Sequence, residues 1–161
     1  MAFAQQTPPQ YTVELVIFRT ASQAGALPIE AAPPAAGDDD VETTASTSRR
    51  LGGAASKLRT AAGYRVLAHT AWNQNAVGCV NDGCRSFNHA VSAEQLGLTK
   101  AGITGKIILK RGLKLNLGID LAVDDGGRRY HLTEVRSLKP NEAQYFDHPA
   151  IGVLAIVSSG S

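Results

Sequence analysis

Leu113-Lys114-Leu115-Asn116-Leu117-Gly118-Ile119-Asp120-Leu121-Ala122-Val123-Asp124 sets an aliphatic residue against a polar or small one at every step. A period of two puts all the large aliphatic side chains on one side of an extended chain, which predicts a half-buried strand. Asp125-Gly126-Gly127 follows, and two glycines supply the positive φ angles that a tight hairpin turn between twisted strands requires. Arg128 to Leu138 then reads as the returning partner. On the other side, Ile103 to Arg111 is a third strand, with Gly112 beginning the turn into the quoted stretch. Three consecutive antiparallel strands point to a fold dominated by sheet.

Working outward, Tyr11 to Arg19 places Tyr11, Val13, Leu15 and Ile17 on one face, while Val16 and Phe18 join from the other. Its second half is therefore expected to be covered on both sides. Ile151 to Val157 is almost wholly apolar and suits a central strand. Ser48 is the candidate N-cap of a helix reaching about Ala62, because Leu51, Ala55, Leu58 and Ala62 recur at three- and four-residue steps before Gly63. Tyr64 to Gln74 reads as the next strand, so the order strand, helix, strand predicts a right-handed crossover with the helix over one face. Residues 20–47 are rich in Ala, Pro, Gly, Thr and Ser, contain Pro33-Pro34 and Asp38-Asp39-Asp40, and read as a flexible loop. Asn73 to Lys100 is polar, with a short strand near Phe87 to Val91; Pro140 stops the strand before it, and Asn141 to His148 reads as a turn or short helical segment. The expected class is α+β: a mostly antiparallel five- to six-stranded sheet, one main helix on one face, and a long disordered-looking loop. Residues 11–158 form the expected single domain, with 1–10 a disordered start and 159–161 a tail.

Composition narrows the function. A net charge of +2 is too weak for a nucleic-acid partner, and no apolar run reaches the ~18 residues of a membrane span. Locally the charge is uneven, with nine basic residues against four acidic ones between Lys100 and Lys139, so one face or edge should be positive. Cys79 and Cys84 bracket Asn81-Asp82-Gly83 and suit a disulfide closing a small loop in an oxidising compartment; a metal site adding His89, and two free thiols, are the competing readings. Ala2-Phe3-Ala4 before Gln5 has the small-x-small form of a signal-peptidase site, which suggests a mature exported chain, with an ordinary cytosolic start as the alternative. No metal and no cofactor are expected.

Catalytic motifs are thin. There is no Gly-x-Ser-x-Gly elbow and no His-Glu-x-x-His pair. Asp147-His148 would be the dyad of a small hydrolase, but Asp147 and Pro149 suit a structural turn better, with Asp147 capping the local backbone. Tyr145-Phe146-Asp147-His148-Pro149 concentrates aromatic, acidic and imidazole groups just before an apolar strand, so it reads as sheet-end packing or as a shallow polar-aromatic site. Along Arg128 to Leu138, Tyr130 and Leu132 share a face with Glu134 and Arg136, which requires either a bulge or an inward-facing charge pair.

Three segments, Tyr11-Thr12-Val13-Glu14-Leu15-Val16-Ile17-Phe18-Arg19, Tyr64-Arg65-Val66-Leu67-Ala68-His69-Thr70-Ala71-Trp72-Asn73-Gln74 and Tyr145-Phe146-Asp147-His148-Pro149-Ala150-Ile151-Gly152-Val153, together resemble the CsiV family of periplasmic peptidoglycan-binding proteins. The resemblance implies a non-enzymatic periplasmic protein. It would bind peptidoglycan and support wall synthesis with an outer-membrane lipoprotein activator of a bifunctional penicillin-binding protein. Trp72, Gln74, Arg136, Tyr145 and His148 are the contacts suggested by those motifs and by side-chain chemistry. Rings such as Trp72 or Tyr145 would stack on sugar faces, and Arg136 or Lys139 would pair with a stem-peptide carboxylate. The alternative from a different class is an envelope scaffold that grips a protein partner along a sheet edge.

Overall fold

The computed structural model describes residues 10–20, 39–79 and 84–159. Most of the expected disordered start and of the 20–47 loop, the Asn81-Asp82-Gly83 turn and the last two tail residues lie outside the described residues. In chain order the elements are β1 (Gln10–Thr20), β2 (Thr44–Ala45), α1 (Gly52–Thr60), β3 (Tyr64–Asn75), β4 (Val77–Gly78), β5 (Val91–Ser92), a 3-10 turn (Leu98–Ala101), β6 (Ile103–Arg111), β7 (Leu115–Asp125), β8 (Arg128–Leu138), β9 (Gln144–Asp147) and β10 (Ile151–Ser159). The α+β class with one helix stands, but the strands form two sheets where one was expected. The first runs β2-β3-β1-β10-β9; the second runs β4-β6-β7-β8, with β5 also on β6. All pairings are antiparallel except β4 with β6. Alternation marks a strand as having a buried face without saying which sheet that face meets.

The two sheets share one core. Val13, Leu15 and Ile17 of β1 and Val153, Ala155 and Val157 of β10 are buried in the same cluster as Leu109, Leu117, Ile119 and Leu121 of the second sheet. On the outer face of the first sheet, Val16, Phe18 and Ile156 pack with Leu51 and Ala55 of the helical segment. Covering β1 and β10 from both sides is what their two-faced apolar patterns require.

Two connections differ from expectation. β1 and β3 are antiparallel neighbours, with Thr20 opposite Tyr64, so the chain returns from its own end and makes no crossover. The last part of the 20–47 loop is ordered: Thr44 and Ala45 pair with β3, and Val41 N–H donates to Ala90 O at 3.4 Å. Asn141 to His148 is neither turn nor helix throughout. Asn141 turns the chain with φ of 68°, its N–H donates to Val157 O at 2.7 Å, and Gln144–Asp147 then adds to β10 as an edge strand.

A bulge in β3 decides which side chains face the core. Ile17 pairs with Ala68 but Phe18 pairs with Val66, leaving Leu67 as the extra residue. Before it, Val66 shares the outer face with Phe18; after it, Trp72 lies opposite Val13 and faces inward. The same parity along the strand therefore leads outward at one end and inward at the other.

The helix begins at Gly52, four residues past the expected cap. Its flanking residue Leu51 carries no side-chain cap. Ser48 instead donates its hydroxyl to Glu14 at 3.1 Å. Glu14, on the outer face of β1, is itself the cap: its carboxylate accepts the N–H of Arg50 at 2.8 Å and of Leu51 at 2.9 Å. His69 Nε2 lies 2.6 Å from the other side of the same carboxylate. A carboxylate that is 1% exposed is tolerable because hydrogen-bond donors surround it. The helix N-terminus favours negative charge there, and burial makes the contact stronger than it is on a surface.

The β7–β8 turn matches expectation, with φ of 60° at Gly126 and 79° at Gly127. Asp125 at its edge binds both Arg19 of β1 and Arg65 of β3, clasping the two sheets at this end. The β7–β8 register runs without a shift from Leu115/Leu138 to Asp125/Arg128. No bulge occurs in β8, and Glu134 and Arg136 keep the inward side as an ion pair.

Candidate functional site

Where the outer face of the first sheet extends past the helix, its aromatic residues gather. Phe18 of β1 pairs with Gly152 of β10, and Gly152 pairs in turn with Asp147 of β9. Because Gly152 has no side chain, the Phe18 and Tyr145 rings lean together over it, nearly parallel at 14° with centroids 6.0 Å apart. Tyr64 closes the other side, edge-on to Phe18 at 5.9 Å. Phe18 is buried, whereas Tyr64 is 46% and Tyr145 40% exposed, so two tyrosines offer ring surface to solvent on a supported base. Burial, and then the Asp147 carboxylate 3.2 Å from the hydroxyl, raise the Tyr145 pKa above its ordinary value. The phenol is a neutral hydrogen-bonding group throughout the physiological range.

A β-carbon on Gly152 would stand 2.5 Å from Phe18 Cζ and 2.8 Å from Tyr145 Cε2. Gly152→Val is therefore expected to push the Tyr145 ring outward and to cost about 1–3 kcal/mol. Urea unfolding checks the cost, and the near-ultraviolet circular dichroism of the tyrosines checks the displacement.

The other expected contacts are dispersed. Arg136 reaches across from β8, donating Nη1–H to Tyr145 O at 2.6 Å with its guanidinium over the Phe146 ring at 5.1 Å. It thereby covers part of the free edge of β9, where a partner strand would have to add. His148 Nδ1 accepts the Ala150 N–H at 3.0 Å, and its ring stands edge-on to Tyr130 at 6.2 Å. Asp147 takes the Tyr145 hydroxyl, so the backbone of the turn is held by the imidazole where capping by Asp147 was expected. Pro149 completes that turn, its carbonyl accepting the Thr20 hydroxyl at 2.9 Å. Trp72 and Gln74 lie at the far end of β3 from Tyr64 and on its inner face, each 2% exposed, with the indole N–H donating to Gln74 Oε1 at 2.7 Å. Trp72 is packed in the core, while Gln74 lines a cleft of about 470 Å³ with Gln10, Glu42, Thr44 and Gln95. Tyr64 and Phe18 were missed because the aromatic strip joins residues from three strands.

A second feature lies at the opposite strand ends. Of the basic residues between Lys100 and Lys139, Arg129 pairs with Asp124 at 2.9 Å, Lys106 with Asp39 at 3.0 Å and Arg136 with Glu134, while Lys110 is buried. Arg111, Lys114 and Lys139 converge instead on a groove of about 510 Å³ floored by Tyr11, Leu115 and Leu138. The ladder Arg111/Leu115/Leu138 brings these cations together, a neighbourhood that needs the pairing of three strands to be known.

Cys79 and Cys84 are joined as a disulfide with Cα atoms 4.8 Å apart, which is compatible with an oxidising compartment. Among the described residues no helix is long and apolar enough to cross a membrane, and no group of three metal-ligating side chains occurs. Comparison of the chain with protein-family models, curated proteins and solved structures finds no match.

Proposed function

We propose that the protein is a non-enzymatic periplasmic protein that binds peptidoglycan. In this reading it supports wall synthesis together with an outer-membrane lipoprotein activator of a bifunctional penicillin-binding protein. The observation that carries the reading is the pair of exposed tyrosines, Tyr64 and Tyr145, seated on Phe18 above Gly152. Sugar rings have apolar faces that pack on aromatic rings, while their hydroxyls need the polar groups that border this strip, Asp147 and the tyrosine hydroxyls. The disulfide is compatible with this compartment, and the likeness of three segments to a wall-binding family is the sequence ground for this ligand. Arg136 supports Tyr145 from behind by holding its carbonyl.

Sedimentation with purified sacculi tests the proposal. The wild type is expected to pellet with the wall at low salt, and Tyr64→Ala/Tyr145→Ala to lose roughly tenfold or more in affinity, since each buried aromatic contact is typically worth 1 kcal/mol or more. Wild-type protein that stays in the supernatant overturns the reading. Capture of a protein partner that survives complete digestion of the wall would favour the scaffold alternative.

A further inference from the structure

The groove at the far strand ends combines features the aromatic strip lacks. Arg111, Lys114 and Lys139 form no ion pair among the described residues, and Arg111 is held by one hydrogen bond, from Nη1 to the Tyr11 hydroxyl at 2.6 Å. That bond orients the guanidinium and leaves its other nitrogens for a planar, two-oxygen acceptor. Directly beneath lie Tyr11, Leu115 and Leu138, which are nearly fully buried, so the floor is apolar within reach of the cations. The wall carrying Arg111 is braced: Cys79 N–H donates to Arg111 O at 3.3 Å, and the disulfide sulfurs lie 3.2 and 3.4 Å from where a β-carbon on Gly112 would be.

We propose that this groove binds the carboxyl-terminal end of a short peptide whose last side chains are small and apolar. A free α-carboxylate answers the three unpaired cations, and the adjoining side chains answer the apolar floor. A volume of about 510 Å³ suits a ligand of a few residues. Glu142 on the rim lowers the net positive charge of the groove, which weakens its hold on polyanions relative to an all-basic site. The groove lies at the Tyr11 end of β1 and the aromatic strip at the Phe18 end, roughly 20 Å apart at ~3.3 Å per strand residue. The proposal therefore does not depend on the wall-binding reading.

The test titrates the full chain with N-acetyl-alanyl-alanine and, separately, with its carboxamide, following backbone amide resonances. The acid is expected to shift resonances around Arg111, Lys114 and Lys139 and to bind about tenfold or more tighter than the amide, because a charge-assisted hydrogen bond is lost in the amide. Lys114→Ala/Lys139→Ala is expected to weaken acid binding several-fold while Arg111 keeps part of the preference over the amide, and Glu142→Gln retains acid binding or tightens it. All three positions are exposed, so the variants keep the fold, and their unchanged spectra elsewhere verify this. Equal binding of acid and amide, binding of neither, or displacement of the acid by equimolar inorganic phosphate would overturn the proposal. The probe is soluble and contains no sugar, so failure here leaves sacculus binding untouched, and failure with sacculi leaves this result to stand.

Discussion

Glu14→Gln is expected to destabilise the protein by about 3–5 kcal/mol, the range for breaking a buried charged cluster by altering one partner. The amide has the same size but puts an NH₂ group where the carboxylate accepts N–H groups of Arg50 and Leu51, the Ser48 hydroxyl and His69 Nε2. At least one donor then meets another donor in a site with almost no water. Burial alone pushes the Glu14 carboxyl up; the bonds from His69, Leu51, Ser48 and Arg50 outweigh it and hold the pKa below its ordinary 4.5. A carboxyl whose folded pKa is depressed contributes stability that is complete above its unfolded pKa and is lost as pH falls through the lower folded value. The wild type should therefore lose stability as pH drops below about 4.5, and Glu14→Gln should lack this component. Urea midpoints at pH 7 and at pH 3.5, followed by far-ultraviolet circular dichroism, measure both effects. Equal midpoints for the two proteins at pH 7 would rule out the capping role.

Trp72→Ala is expected to cost about 3–5 kcal/mol, the usual range for truncating a large buried aromatic ring. It removes the largest fully buried side chain and strands Gln74 Oε1, which accepts the indole N–H. A Trp72 that served as a surface contact would instead weaken binding with little change in the unfolding midpoint. Because Trp72 is the one tryptophan in the sequence, wild-type emission reports on it alone. A blue-shifted maximum that moves red on unfolding is expected, and a maximum already at the solvent-exposed position would contradict the burial.

These two residues also mark what the sequence makes legible. β6, β7 and β8 can be read almost to the residue, because the unbroken period of two in β7 and the double-glycine turn after it are local signals whose register nothing distant alters. The double coverage of β1 is likewise visible in Val16 and Phe18, which break its alternation with apolar groups. The inward turn of Trp72 is not visible: it depends on the bulge at Leu67, and a bulge shifts parity without requiring any special residue type. Glu14 reads as an ordinary polar position on a strand, since its donors arrive from residues 48–51 and from His69. Of the site, Tyr145 is legible from its own neighbourhood. Tyr64 and the cationic groove emerge only when separate strands are set side by side.

The pairing of β1 with β10 has a consequence for how the chain assembles. Tyr11 meets Ser159 and Arg19 meets Ile151, so the middle of the first sheet joins segments well over a hundred residues apart. During synthesis β1 keeps one edge unpaired until β10 emerges, while the β6–β7–β8 meander can form from neighbours alone. Ribosome-bound chains that stop short of Ile151 are therefore expected to protect β6–β8 amides from exchange and to leave open those β1 amides that point toward β10.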